Sequence, residues 1–476
     1  MLKPNASSKP TSCRADTNWA QNEFARAPLP DQRLLQRLIT LATDFAQQPT
    51  APIPQACGSW DKTKAAYRFF DNAAVQPQAI LQAHVQATVQ RMQTQPVVLC
   101  AQDTTTLNYS THPQTQGLGP IGYNRHKTIG LFLHSTLALT PAGQPLGLVH
   151  AQTWVRSCRQ FGRSSHQRNR TPRAQKESQK WLDSFTACQA LAAQCPDTML
   201  VNLADREGDL SDLFQQALAP TDAPRVHLLV RAQHNRQVAH PHKHLWDFLA
   251  TRPVSAHLKT KVPRKDGQPG RLATLAIRFT RVTLRPPCLK DDQPPLTLWA
   301  VEARELHPPR GATPVCWRLL TTLPVETAEA AVEKVRWYGQ RWQIELIHKV
   351  LKSGCQVEQR QLETAARLQR VLMLDLIVAW RVLGLCKAGR QTPDGLASDW
   401  LSADEWQALW CYVHKRAQPP RRPPTLRQAV RWLAQIGWLF GPAARWRSRP
   451  HRGVAGPPPT ARDHSRVETF RAWILW

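Results

Sequence analysis

The stretch Arg336-Trp-Tyr-Gly-Gln-Arg-Trp-Gln-Ile-Glu-Leu-Ile-His-Lys-Val-Leu-Lys352 decides how the rest of the chain is read. Tyr338, Arg341, Glu345 and Lys352 stand 3, 4 and 7 residues apart. At about 100° of helical rotation per residue, the four fall within an arc of roughly 60°. Ile344, Leu346, Ile347, Val350 and Leu351 fall on the other side. The spacing predicts one helix that buries its apolar flank and presents an acid, two cations and a phenol. Those groups suit a site that holds a metal ion beside a phosphate. A solvated helix face rarely combines them in this order.

Two upstream segments supply further acids. Val97-Val-Leu-Cys-Ala-Gln-Asp103 and Met199-Leu-Val-Asn-Leu-Ala-Asp205 each read as a buried strand closing on an aspartate. Taken singly, such an aspartate is more often a turn or cap residue than a ligand. Taken with Glu345, three separated carboxylates could converge through the fold. An all-oxygen set suits a hard divalent cation such as Mg²⁺, with Mn²⁺ as a substitute. Two such ions activate a water or 3′-hydroxyl and stabilise the leaving oxygen of a phosphodiester. Arg341 and Lys352 would hold phosphates, Arg as a fork and Lys as a point charge. The Tyr338 hydroxyl could hydrogen-bond a phosphate oxygen.

The totals agree with a polyanionic partner. The 476 residues carry 62 Lys and Arg against 34 Asp and Glu, a net charge of +28, and nucleic acid is the commonest partner of such a surplus. Length allows about three domains. The N-terminus has the polarity of a chain without a secretory leader, and no run approaches the roughly 18 apolar residues a membrane span needs. The 11 cysteines are scattered without a C-x-x-C pair. The expectation is reduced thiols, no zinc and a cytoplasmic location.

Residues 15–95 read as short helices with Arg33, Arg37, Lys62, Lys64 and Arg68 on their surface, suited equally to a DNA-binding module or a plain helical domain. After the strand at Val97, two more strands are expected at Leu131–Leu139 and Leu146–Trp154, then a basic polar loop over 156–180. A helix follows to Gln194, then the Asp205 strand, a helix from Leu210 and a strand from Val226 to Arg231. Alternating segments between about 240 and 325 read as a β-rich insertion. Helices are expected from Pro324 to about 438, interrupted near Gly389 and at the proline-rich 419–424.

The spacing Tyr338-x₂-Arg341-x₃-Glu345-x₆-Lys352 resembles the Y-R-E-K signature of bacterial insertion-sequence DDE transposases of the IS-4 family, which includes the Tn-5 enzyme. Gln102-Asp103-Thr-Thr-Thr resembles its first-acid motif and Asp205-Arg-Glu-Gly-Asp its second. Trp154, Val230-Arg231, Trp317 and the order of domains also fit. The resemblance implies Asp103, Asp205 and Glu345 as a Mg²⁺-binding catalytic triad, and Tyr338, Arg341 and Lys352 as phosphate and flanking-DNA contacts. It implies Trp317 stacking on a flipped base as a hairpin end forms, where a core tryptophan is the plainer alternative. Arg231 is similar to a basic residue near the family's active site. Arg33, Arg37 and Arg68 match basic positions of its end-reading domain.

The fold implied is α/β: an RNase-H-like catalytic core interrupted by a β-rich insertion, between N-terminal and C-terminal helical domains. The expected division is 1–92, end-binding helices; 93–238, first part of the core; 239–325, insertion; 326–388, second part with the Y-R-E-K helix; and 389–476, C-terminal helices and tail. The function implied is cut-and-paste transposition on double-stranded DNA, at inverted-repeat ends and target, by a homodimer in a paired-end complex. Two other readings are a decayed relative that binds ends without cutting, and a general nuclease of the same fold.

The tail departs from the family pattern. Where an Asp-Gly-(Asp/Glu)-Pro-Gly segment is expected, the chain reads Arg445-Trp-Arg-Ser-Arg-Pro-His-Arg-Gly-Val-Ala-Gly. A one-base shift in a compatible choice of codons turns this into Asp-Gly-Asp-Pro-Gly-Leu-Thr-Val-Val-Trp-Leu. The expectation is a frameshift near 441–445, the alternative a natural basic tail that adds non-specific DNA affinity. Reading the nucleotide sequence decides between them.

Overall fold

The computed structural model describes residues 19–122, 128–157, 172, 175–222, 224–239, 244–262, 270–286 and 293–435. The expected frameshifted tail and residues 158–171 and 173–174 of the expected basic loop lie outside the described residues.

Five helices open the described chain: α1 (Trp19–Phe24), α2 (Gln32–Gln47), α3 (Ile53–Cys57), α4 (Trp60–Asp71) and α5 (Pro77–Met92). Asp31 caps α2 by accepting from the Leu34 N–H at 2.9 Å, and Ser59 caps α4 through the Lys62 N–H. Gly58, at φ 73°, ends α3 in the left-handed region and lets α4 start two residues later.

The centre is one mixed sheet. Its strands are β1 (Val97–Asn108), β2 (Gly119–Pro120), β3 (Ile129–Leu139), β4 (Pro145–Trp154), β5 (Met199–Ala204), β6 (His227–Arg231), β7 (Ala256–Val262), β8 (Arg271–Leu284), β9 (Leu296–Glu305) and β10 (Cys316–Thr321). β3 lies antiparallel to β1 and to β4, while β1, β5 and β6 run parallel. That is the RNase-H-like pattern. β10, β9, β8 and β7 then extend the same sheet antiparallel beyond β6. The insertion strands therefore continue the core's sheet edge to edge. The mixed α/β class expected from the sequence is the class observed.

Side-chain alternation assigns each face its layer. Val98 and Cys100 of β1 point to the side covered by α6 (Gln179–Ala192), α7 (Ser211–Leu218) and α8 (Leu245–Ala250). Leu99 and Ala101 point to the other side. That side carries α9 (Ala328–Gly339), α10 (Gln343–Lys349), α11 (Ala365–Gln391) and the N-terminal helices. The chain continues through α12 (Ala403–His414), which opens on a Ser402–Glu405 capping box, and α13 (Leu426–Gln435).

One expectation is sharpened here and one corrected. The interruption expected near Gly389 begins two residues later, where α11 ends at Gln391. A Cβ at Gly389 would stand 2.8 Å from Val430 Cγ2, so this glycine admits close packing of α13 and does not interrupt the helix. The 336–352 stretch is not one α-helix. α9 gives way to a 3₁₀ turn over Gln340–Trp342, then α10, then a π-helical turn over Val350–Gly354. Such switches change the rotation per residue and re-aim side chains.

The N-terminal helices are tied to α11 by arginines. Arg360, 3% exposed, makes a paired contact with Asp375 at 2.7 and 3.0 Å and donates to the Ala51 carbonyl at 2.7 Å. Arg370 donates to the Val75 and Phe70 carbonyls at 2.8 and 2.9 Å.

Candidate active site

The parallel register of β1 and β5 brings the two aspartates together. Val97 pairs with Met199 and Ala101 with Leu203, a constant offset of 102 residues. Carried two residues further, that offset sets Asp103 beside Asp205. Leu99, Ala101 and Asp103 alternate onto one face, as do Val201, Leu203 and Asp205, and it is the face that α10 covers. One detail differs from the sequence reading. Asp103 sits in mid-strand, since β1 continues to Asn108, while its pairing with β5 ends at Ala101. Asp103 therefore occupies the first stretch of β1 that is unpaired on the β5 side. Asp205 does close its strand, and its side chain accepts from the Glu207 N–H at 2.8 Å, capping a 3₁₀ turn over Arg206–Gly208.

Arg341 links the third carboxylate to the first. Its Nη1 stands 3.3 Å from Asp103 Oδ2, and its Nη2 donates to Glu345 one helical turn on. Burial pushes the Asp103 carboxyl up to about 6. Arg341 and the Thr104 N–H pull it down, while Asp205 and Glu345 push it further up. Asp103 thus feels both other acids, and Arg341 offsets its burial only in part. Among the described residues no three His, Cys, Asp or Glu side chains are already drawn together as a metal-ligand cluster. The donor set, all carboxylate oxygen and short of positive charge, nevertheless fits a hard divalent ion.

Lys352 lines a cleft of about 400 Å³ with Asp103, Thr104, Thr105, Glu345, His348, Lys349 and Ser353. Burial lowers the Lys352 ammonium from its usual range. Tyr338 is buried, and burial pushes its hydroxyl up while the charges of Arg341 and Arg231 pull it down. Arg231, at the end of β6, also donates to the Cys316 carbonyl at 3.1 Å. Trp317 meets Tyr338 edge to face at 5.5 Å and is partly buried. Trp317, Tyr338, Arg231 and Arg341 therefore form one connected group beside the acids. Trp342, next to Arg341, is 48% exposed.

Several supporting residues were not singled out in the sequence. His348 on α10 shares a 2.8 Å hydrogen bond with Ser135 of β3, the partner of Asp103 in the β1–β3 register. Burial lowers His348 to about 3, with Lys352 and Arg341 adding to the effect. It is therefore neutral and anchors the helix that carries Glu345. Behind the acids, Gln102 donates to Asn202 at 2.6 Å and accepts from His134 at 2.9 Å, while the Thr104 hydroxyl donates to the other His134 nitrogen at 2.9 Å. This chain joins β3, β1 and β5 on the face opposite the carboxylates. No spacing rule reveals these residues, because every contact is long-range.

Arg33 and Arg68 are exposed and Arg37 is half-buried, on α2 and α4, away from the sequence positions of the cleft. α4 also exposes Lys64, Tyr67 and Trp60, the last at 77%. No helix among the described residues is long and apolar enough to cross a membrane.

Residues 16–75 match a family described as transposase DNA-binding, and residues 152–381 match the transposase DDE domain. The first match contains Arg33, Arg37 and Arg68. The second contains Asp205, Arg231, Trp317, Tyr338, Arg341, Glu345 and Lys352, and begins after Asp103. A solved structure described as the cryo-EM structure of piggyBac transposase synaptic complex with hairpin DNA is similar at 10% identity, over 84% of this chain and 76% of that chain, with a TM-score of 0.38. These two matches make the chain similar to transposases in two successive regions, a DNA-binding region followed by a DDE domain.

Proposed function

We propose that this chain is an IS-4-type insertion-sequence transposase that moves its element by cut-and-paste chemistry at Asp103, Asp205 and Glu345. The observation that carries the reading is the parallel register of β1 and β5, which runs the segments leading to Asp103 and Asp205 side by side, together with Arg341, which contacts both Asp103 and Glu345. Divalent ions bound there supply an activated water or 3′-hydroxyl and a stabilised leaving oxygen.

The chain's own residues do the rest. Arg341 and Lys352 hold the phosphates flanking the scissile bond, and Arg231 keeps the Tyr338 hydroxyl oriented toward the same strand. Trp317 offers its face to a base displaced from the stack, which compensates for lost stacking. Arg33, Arg37 and Arg68 bind the phosphates of the inverted-repeat ends, where each contact adds salt-dependent affinity. The reaction series is strand nicking, hairpin formation by the freed 3′-hydroxyl, hairpin opening and joining to target DNA, in a homodimer holding paired ends. Each step is an in-line displacement at phosphorus.

The test is cleavage of supercoiled DNA carrying the element's own ends, with Mg²⁺, comparing the unmodified chain with Glu345→Ala. Cleavage lost in the variant is the expected result. Equal cleavage by both removes the assigned site. End binding without cleavage by either points to a relative that binds ends and no longer transposes.

A further inference from the structure

The turn that carries Asp205 contains a second buried acid with a different job. Asp209 is 2% exposed. Its Oδ2 accepts the backbone N–H groups of Gln233 and His234 at 2.7 and 3.0 Å. Its Oδ1 pairs with Arg236 Nη1 at 2.5 Å, and Arg236 Nη2 returns to the Asp209 carbonyl at 2.9 Å. Both carboxylate oxygens are thus engaged by the protein itself and the side chain is closed to solvent, whereas Asp103 and Glu345 keep 19% and 31% of theirs exposed. The partners lie in the segment that leaves β6 directly after Arg231. One carboxylate therefore clamps the loop following β5 to the loop following β6.

The other side of the turn is held as well. A Cβ at Gly208 would stand 2.5 Å from the Ala204 Cβ and 3.1 Å from Trp181 Cε3, so the glycine lets the turn sit against Trp181. Asp205 lies between these two restraints. Arg231, on the far side of the clamp, lies close enough to Tyr338 for its charge to act on the hydroxyl.

We propose that Asp209, through Arg236, is a positioning residue that sets the separation between the Asp205 carboxylate and the Arg231–Tyr338 pair. This rests on reading Asp205 as a metal ligand. Partners that orient a ligand without touching the ion commonly change metal affinity by about 10–100-fold when removed. In Asp209→Asn the side-chain NH₂ meets donors on every side, so at least one of the three bonds is lost and Arg236 is left without its counter-charge.

The experiment measures Mn²⁺ binding to the full chain, from loss of the free-ion paramagnetic resonance signal, and the Mg²⁺ concentration for half-maximal nicking. Asp209→Asn is expected to weaken Mn²⁺ binding and raise the Mg²⁺ requirement by about tenfold, with end-DNA affinity unchanged within about twofold. Arg236→Lys keeps the charge and loses the second contact, and is expected to shift both readouts in the same direction by less. A folded Asp209→Asn with unchanged ion dependence overturns the proposal. If that variant does not fold, an unchanged ion dependence in Arg236→Lys overturns it. Asp205→Ala tests the underlying reading separately: unchanged Mn²⁺ binding there refutes the metal site itself.

Discussion

Two arginine–carboxylate sites in this molecule use the same groups for opposite ends. At Arg360–Asp375 one guanidinium meets one carboxylate, both buried, with a backbone carbonyl taking a further N–H. At Arg341 one guanidinium is shared by two acids, Asp103 and Glu345, that line a cleft, with Asp103 pushed up to about 6 by burial in spite of it. The first is balanced in charge and closed, so it locks the N-terminal helices to α11. The second is short of positive charge and open, so it retains capacity for a further cation and a phosphate. Charge stoichiometry and access, not residue type, separate a structural pair from a functional one.

The sharpest way to break this comparison is to remove one acid from each site. Glu345→Ala is expected to reduce DNA cleavage by about 10³-fold or more, the several kcal/mol that ion chemistry contributes. Its melting temperature should stay close to that of the unmodified chain. A cleavage rate within tenfold of the original removes Glu345 from the site.

Asp375→Ala should do the reverse. Leaving Arg360 buried and unpaired costs about 3–5 kcal/mol. Denaturant titration should show that loss, while cleavage per folded molecule persists. A stability change below about 1 kcal/mol shows that the pair does not lock the two regions.

Arg341→Gln sharpens the contrast at smaller scale. Without DNA, Arg341 competes with any ion for Asp103 and Glu345, so its removal should tighten Mn²⁺ binding by a few-fold, on the order of 1 kcal/mol. Cleavage should nonetheless fall, because the phosphate fork is gone. Weaker Mn²⁺ binding in the variant contradicts the competition.

The smallest effect concerns pH. His348 is held at about 3, below its unfolded value near 6.5, so the folded state binds fewer protons. It contributes stability above about pH 6.5 that is lost as pH falls toward 3. Asp103 acts oppositely: its carboxyl is raised to about 6, so its ionisation lowers stability as pH rises from about 4 to 6. His348→Gln should therefore flatten the acid side of a melting-temperature profile, and an unchanged profile argues against a buried neutral histidine.

The acids and the polar stripe were legible because their information is local. Short continuous apolar runs placed strands ahead of Asp103 and Asp205, and the 3–4 spacing placed Arg341 one turn from Glu345, where the structure pairs them. The breaks in that helix were not legible, since a 3₁₀ turn at Gln340–Trp342 and a π-turn at Val350–Gly354 depend on what the side chains meet. The break near Gly389 was legible to within two residues, but the packing of α13 against that glycine was not. His348–Ser135, Gln102–His134–Asn202 and Asp209–Arg236 carry no spacing signal, because their partners come from other strands and loops.

The sequence by itself determined the mixed α/β class, the basic character of the chain and the residue types available for phosphoryl transfer. These follow from hydrophobic periodicity and net charge, which are properties of neighbours along the chain. Only the tertiary structure decided that the strands leading to Asp103 and Asp205 run side by side, that Arg341 spans to Asp103, and that Arg236 closes Asp209 into a clamp. Those outcomes depend on strand register and on which charges burial leaves paired, and both are set by contacts between residues far apart in sequence.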